Sequence, residues 1–163
     1  MVRTDFTQMR CPVARAMAVL GERWAILVLR EAFYGTTRFE EFERNLGIAP
    51  NILSARLRAL VEHGLLEKCA TCGARHEYRL TAKGRDFFPA YVALKGWADR
   101  WMTGPDGPPV LLQEAATGRE VTSPPLLASD GRPLMPEAVR VLPGPGATPA
   151  MRARLLAKVA EDA

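Results

Sequence analysis

The stretch that most constrains this chain is residues 37–66, TRFEEFERNLGIAPNILSARLRALVEHGLL. Thr37 followed by Glu40 matches a capping box, in which two side chains satisfy orphan backbone N–H groups where a helix begins. Phe39, Phe42 and Leu46 then recur at helical spacing. Gly47 stands where a left-handed C-terminal residue is wanted, and Pro50 suits the first turn of another helix. The spacing therefore predicts helix, tight turn, helix, with the second helix over 50–62. Along it Leu53, Leu57, Leu60 and Val61 share one apolar stripe. The opposite face carries Asn51, Ala55, Arg58 and Glu62, flanked by Ser54 and Arg56.

Those outer residues are ones that read base edges. Asn pairs bidentately with adenine and Arg with guanine, Ser meets several edges or a phosphate, and an Ala methyl meets a thymine methyl. By itself the pattern also fits an ordinary amphipathic helix with a solvated face, since helix pairs with short turns are common. The residues after Gly64 decide between the two. LLEKCATCGARHEYRLT alternates about a glycine-containing tip, with Glu77, Arg79 and Thr81 opposed to Tyr78 and Leu80, which predicts a hairpin over 67–80. A helix pair followed at once by a hairpin is a winged helix-turn-helix. Lys68, Arg75, His76 and Arg79 make its wing basic, suited to phosphates or a narrow minor groove.

Charge agrees with a polyanionic partner. The formal net charge is +4, and it is concentrated: residues 1–103 hold 16 basic and 11 acidic side chains, whereas 104–163 hold 6 and 7. No apolar run approaches the roughly 18 residues of a membrane span, and the first residues lack the apolar centre of a secretory signal. Three cysteines, Cys11, Cys69 and Cys72, are too few for a disulfide framework. The expected setting is the cytoplasm, with no membrane partner.

Around this unit the remaining elements fall in order. Residues 1–10 read as a mobile arm. Pro12 opens a short helix ending at Gly21, with Val13, Ala16, Met17 and Leu20 on one face, and a more apolar helix runs from about Glu22 to Tyr34. Thr81 is the expected N-cap of a long helix to about Met102, kinked by Pro89. Phe87, Tyr91, Leu94, Ala98 and Trp101 share a face of it, while Phe88, Val92 and Trp97 lie elsewhere. That is more apolar surface than one small domain requires. It predicts a dimer interface made with the first helix, the rival being a small-molecule pocket lined by the aromatics.

Ten of the 13 prolines lie from 105 onward, so composition sets a boundary near 104. Beyond it two hairpin turns, at Thr117–Gly118 and Asp130–Gly131, resemble the knuckles of a zinc-ribbon-like unit. No cysteine or histidine occurs in 104–163, so no zinc is expected there. A terminal helix completes the chain, capped by Thr148. The expected fold is mainly α with a small β wing, in three parts: an arm over 1–10, a winged helix-turn-helix domain over 11–103, and a C-terminal extension over 104–163, rich in β-hairpins and ending in a helix.

CPVARAMAVLGERWAILVLRE, the 36–67 stretch and EYRLTAKGRDFFP together resemble the HxlR family of bacterial winged-helix transcriptional regulators, relatives of MarR-type repressors. The resemblance covers more than half of the chain. It implies a homodimer formed by the first and the long C-terminal helices, recognition helices in successive major grooves of an operator, and control of nearby genes. It also matches Cys11 to a cysteine that serves some members as a redox sensor, at a helix N-terminus where a thiol becomes reactive.

The wing departs from the family pattern, reading CATCGAR where prolines are usual. Cys69 and Cys72 are thus expected two residues apart on an exposed turn. Three readings stay open there: a chance spacing, a thiol switch, or half of a metal site completed by His76, His63 or a second subunit. The expected DNA contacts are Thr37, Arg38, Asn51, Ser54, Ala55, Arg56, Arg58, Arg75 and Arg79, with a small-molecule or redox effector as a further partner. A winged helix serving only as a protein-interaction module is the alternative. No phosphate loop, catalytic triad or carboxylate cluster suggests an enzyme, and neither a resident metal nor a cofactor is expected.

Overall fold

The computed structural model describes residues 5–70 and 76–161, and these divide into two compact units, residues 1–122 and 123–163. Cys72 and Arg75 lie outside the described residues. In the first unit α1 (Pro12–Leu20), α2 (Ala25–Phe33), α3 (Phe39–Leu46) and α4 (Pro50–Glu62) precede a two-stranded antiparallel hairpin. This pairs β1 (Leu66–Ala70) with β2 (His76–Leu80), and α5 (Ala82–Asp86) and α6 (Phe88–Met102) come next. The core joins Val28 and Leu29 of α2, Phe42 of α3, Leu53, Leu57 and Leu60 of α4, and Leu66 of β1, all essentially without solvent contact. The helical ones occupy the apolar positions of the 3.6-residue period, so burial of those stripes holds the helix pair together.

Local chemistry sets the boundaries. Gly47 ends α3 with φ +60, a left-handed conformation that costs glycine nothing, and Pro50 opens α4. The start of α3 differs from the Thr37–Glu40 expectation by one residue: Glu41 Oε2 accepts from the Arg38 N–H at 3.4 Å. Thr37 is otherwise occupied, its carbonyl accepting the Tyr78 N–H of β2 at 2.8 Å. Helix α2 begins at Ala25 rather than Glu22, because the Trp24 and Ala25 N–H groups both turn back onto the Glu22 carbonyl at 2.9 Å.

The expected kinked helix is two helices. Thr81 caps α5, its Oγ1 accepting the Gly84 N–H at 3.0 Å, but the chain breaks at Phe87. Pro89 has no N–H for the Arg85 carbonyl, and its ring clashes with that carbonyl, so the helix restarts with Pro89 in its first turn. The apolar residues of α6 are divided between core and surface. Tyr91 and Val92 are buried, whereas Leu94 and Trp97 are exposed and Trp101 is 70% exposed. On α1 the predicted face is likewise outward: Val13 is 68% exposed and Met17 is exposed, while Val19 is buried.

Before α1, Phe6–Gln8 form a single turn capped by Asp5, so the expected arm carries local structure. Both hairpin turns of the extension form. Gln113 bridges Glu120 in the first unit, and Leu127 bridges Pro133 in the second. In the second unit α7 (Pro149–Glu161) starts with the Met151 N–H donating to Thr148 Oγ1 at 3.2 Å.

Candidate nucleic-acid interface

Helix α4 has two unlike sides. Leu53, Leu57 and Leu60 are sealed into the core, and Asn51, Ala55, Arg58 and Glu62 are exposed, with Ser54 half-buried beside them. The whole N-terminal end, residues 49–52, faces solvent. That is the end a recognition helix presents to base edges. Ile52 is exposed there too, a residue that periodicity passes over because an isolated apolar side chain on a polar face carries no signal. It adds an apolar group able to meet a thymine methyl.

Arg56 is placed differently from the other basic residue of the helix. Its guanidinium reaches back to Glu22 at 3.0 Å, with both side chains largely buried, so it ties α4 to the α1–α2 turn. Arg58, two residues on, is exposed.

The wing is anchored to the helix pair by backbone pairing. Besides the Tyr78 N–H bond to Thr37, Arg38 pairs with Glu77 as an isolated antiparallel bridge. Thr37 and Arg38 thus sit between wing and helices, Thr37 half-buried and Arg38 exposed. In the hairpin Leu66 faces Leu80, Lys68 faces Tyr78, and Ala70 faces His76, while Glu67–Arg79 and Cys69–Glu77 pair on the other side. Arg79 is engaged by its neighbours: Nη2 and Nε donate to Glu77 Oε2 at 2.9 and 3.3 Å. With Glu67 directly opposite, its charge is compensated within the wing. Lys68 and His76 are exposed on the other face. Cys69 lies within β1 and is half-buried, rather than on an exposed turn, because strand pairing extends to Ala70.

A buried polar knot underlies this region. Glu31, only 6% exposed, accepts from Arg30 Nη2 at 2.9 Å, Asn45 Nδ2 at 3.0 Å and Thr36 Oγ1 at 3.2 Å. It links α2, α3 and the turn that leads to the wing anchor. A buried carboxylate is tolerable only with such partners.

A model of the HxlR-like helix-turn-helix family matches residues 19–105, from the end of α1 through α6. The chain belongs to this family. An HTH-type transcriptional regulator of Mycobacterium bovis, Mb3122, itself uncharacterized, is 43% identical over 136 residues, covering 82% of this chain and 86% of that protein. The crystal structure of PA1607, described as a candidate transcription factor, superposes with a TM-score of 0.77 at 47% identity, covering 85% of this chain and 98% of that one. Both relations extend beyond the 122 residues of the first unit, so this HxlR-type chain shares part of its extension with them. HypR, described as a redox regulator and solved in its reduced form, is 28% identical with a TM-score of 0.52, covering 55% of this chain and 92% of that one. Among the described residues no helix of this HxlR-type chain is long and apolar enough to cross a membrane.

Proposed function

We propose that the protein is a dimeric, sequence-specific DNA-binding transcriptional regulator of nearby genes. In this reading α4 lies in the major groove and the wing on the adjacent backbone or minor groove. The observation that carries it is the division of α4: a sealed apolar side fixes the helix, and Asn51, Ala55 and Arg58 stand exposed on the other side at the protein surface. An interaction module would instead expose large apolar groups along that face. The family and the names of the relatives support the same reading.

Gel-shift titration against the DNA upstream of the protein's own gene tests it. A discrete complex is expected whose affinity falls steeply with salt, since each phosphate contact releases counterions. An affinity indifferent to salt, or no preference for that DNA over unrelated sequence, overturns it.

Dimerisation is supported by the exposed apolar residues of α1 and α6, Val13, Met17, Trp97, Trp101 and Met102. Helix α1 also borders a groove of about 570 Å³ with α5 and the start of α6, where Ala16, Val19 and Leu20 face Phe87 and Ala90. This much apolar surface is costly in an isolated chain. Light scattering is expected to give twice the mass of one chain, and Trp97→Glu to shift the population to monomer and weaken operator binding at least about tenfold, because two linked half-sites become one. A monomeric wild type, or a Trp97→Glu protein that remains dimeric, refutes this interface. Cys11 is exposed at the N-cap of α1, on the same proposed interface. With the similarity to HypR, that placement supports thiol sensing as the input.

A further inference from the structure

The apolar core of the first unit holds its elements together, but apolar burial is non-directional and leaves small changes of angle between them cheap. Direction needs hydrogen bonds. The Glu31 carboxylate supplies them where α2 meets the elements proposed to read DNA. Its Oε1 accepts from Arg30 Nη2 at 2.9 Å on its own helix, and its Oε2 accepts from Thr36 Oγ1 at 3.2 Å and Asn45 Nδ2 at 3.0 Å. Asn45 Nδ2 also donates to Thr36 Oγ1 at 3.3 Å, which closes a triangle of bonds. A carboxylate only accepts, so Asn45 must turn its amide nitrogen inward. The backbone repeats the tie, the Thr36 N–H donating to the Glu31 carbonyl at 3.0 Å.

The two partners on Oε2 lead to different parts of the surface that faces DNA in this reading. Thr36 precedes Thr37, whose carbonyl takes the Tyr78 N–H of β2 at 2.8 Å, and Arg38, which bridges Glu77. Thr36 thus fixes the strip on which the wing docks. Asn45 is in the last turn of α3, two residues before the left-handed Gly47 and five before Pro50 in α4. It fixes the approach to the reading helix. A buried ion is a weak stabiliser, since apolar packing of the same volume often does as well, and its better-attested use is to select one arrangement.

We propose that Glu31 is a positioning residue for DNA recognition: by holding Thr36 against Asn45 it sets the angle between the wing and α4 at which both engage one operator. Leu53 of α4 and Leu66 of β1 are sealed in the core, so both elements form without this carboxylate. What it adds is their mutual orientation. The role rests on the DNA-binding reading above.

The test is gel-shift titration of full-length variants at several salt concentrations, on the DNA upstream of the protein's own gene, below the onset of each thermal melt. Glu31→Gln keeps the shape but turns one acceptor into a donor, which then faces either Arg30 or the Asn45–Thr36 pair. Operator affinity is expected to fall about tenfold, within the range for residues that couple two sites without touching the ligand. The salt slope should shrink by about 1, because a misplaced wing gives up a phosphate. Glu31→Gln combined with Asn45→Asp exchanges donor for acceptor across the same contact. Affinity and slope should return to within about twofold of wild type, the spread expected of non-interacting changes. Val28→Ala removes apolar packing from the same helix, and should lower the melting temperature while leaving the slope unchanged. Thr36→Val lacks only the hydroxyl, and should reduce the slope whether or not Glu31→Gln folds. A wild-type slope in folded Glu31→Gln or in Thr36→Val, an equal loss of slope in Val28→Ala, or no recovery in the folded paired exchange overturns the positioning role and leaves the DNA-binding reading standing. A wild-type protein that forms no operator complex overturns both.

Discussion

Gly84→Ala is expected to destabilise the protein by about 3 kcal/mol, although helix propensity argues the reverse. Gly84 lies within α5, where replacing glycine by alanine ordinarily stabilises by roughly 1 kcal/mol. Here a Cβ would stand 2.1 Å from the Leu65 carbonyl oxygen and 3.1 Å from a Leu80 methyl. Leu65 cannot yield cheaply. Its carbonyl accepts from the Thr81 N–H at 3.1 Å and from Thr81 Oγ1 at 3.3 Å, so moving it strains the cap of α5 as well as the start of β1. Overpacking against fixed backbone costs about 1–3 kcal/mol, and a loosened cap adds about 1. The steric terms therefore outweigh propensity. A fall in Tm on the order of 10 °C is the expected reading for a chain of this size. A melt at or above the wild-type temperature would show that backbone relaxation is easier than this geometry implies. Because Leu65 leads into β1, the variant should also bind operator less well under conditions where it remains folded.

Which features are legible in the sequence depends on how far apart their causes lie. The bounds of α4, Pro50–Glu62, match the expectation because a proline and the left-handed glycine before it act within a few residues, and burial of Leu53, Leu57 and Leu60 comes from their period alone. Strand alternation likewise sets Glu77 and Arg79 opposite Tyr78 and Leu80. The Arg56–Glu22 pair joins residues 34 apart, and no local pattern distinguishes Arg56 from the exposed Arg58 two positions later. Cys69 escapes the local pattern for a related reason: where a turn begins depends on how far cross-strand pairing continues, and Ala70 still pairs with His76. On α6 periodicity groups the apolar residues by face, and their number exceeds what one core takes, but it does not say which of them that core takes. Trp97 and Trp101 are outward, and Tyr91 and Val92, close after the break at Phe87, take the buried positions. The Glu31 knot leaves no trace in the sequence, since its parts come from α2, a turn and α3 and each residue is commonplace alone.

Asn51→Ala combined with Arg58→Ala is expected to weaken operator binding by about 100-fold or more while lowering affinity for unrelated DNA far less. Each bidentate base contact is worth about 1–3 kcal/mol of discrimination. The two residues stand seven apart, about 10 Å along the axis of α4, so their effects should add. Both are exposed on a helix whose other side is fully sealed, so neither change opens a cavity, and thermal stability should stay near wild type. Arg38→Ala provides the contrast. Arg38 is exposed beside the wing anchor rather than on α4, and a phosphate contact there carries no sequence information. Its removal should weaken binding to operator and unrelated DNA alike, and reduce the salt slope by about 1. Arg56→Ala should instead lower the melting temperature, because the ion pair by which Arg56 ties the α1–α2 turn to α4 is lost. The division of labour is refuted if the double variant loses operator and unrelated DNA equally, or if Arg38→Ala shifts sequence preference. If instead the double variant loses nothing on any DNA, α4 is not the reading element, and the exposed face that carries the proposed function must serve another purpose.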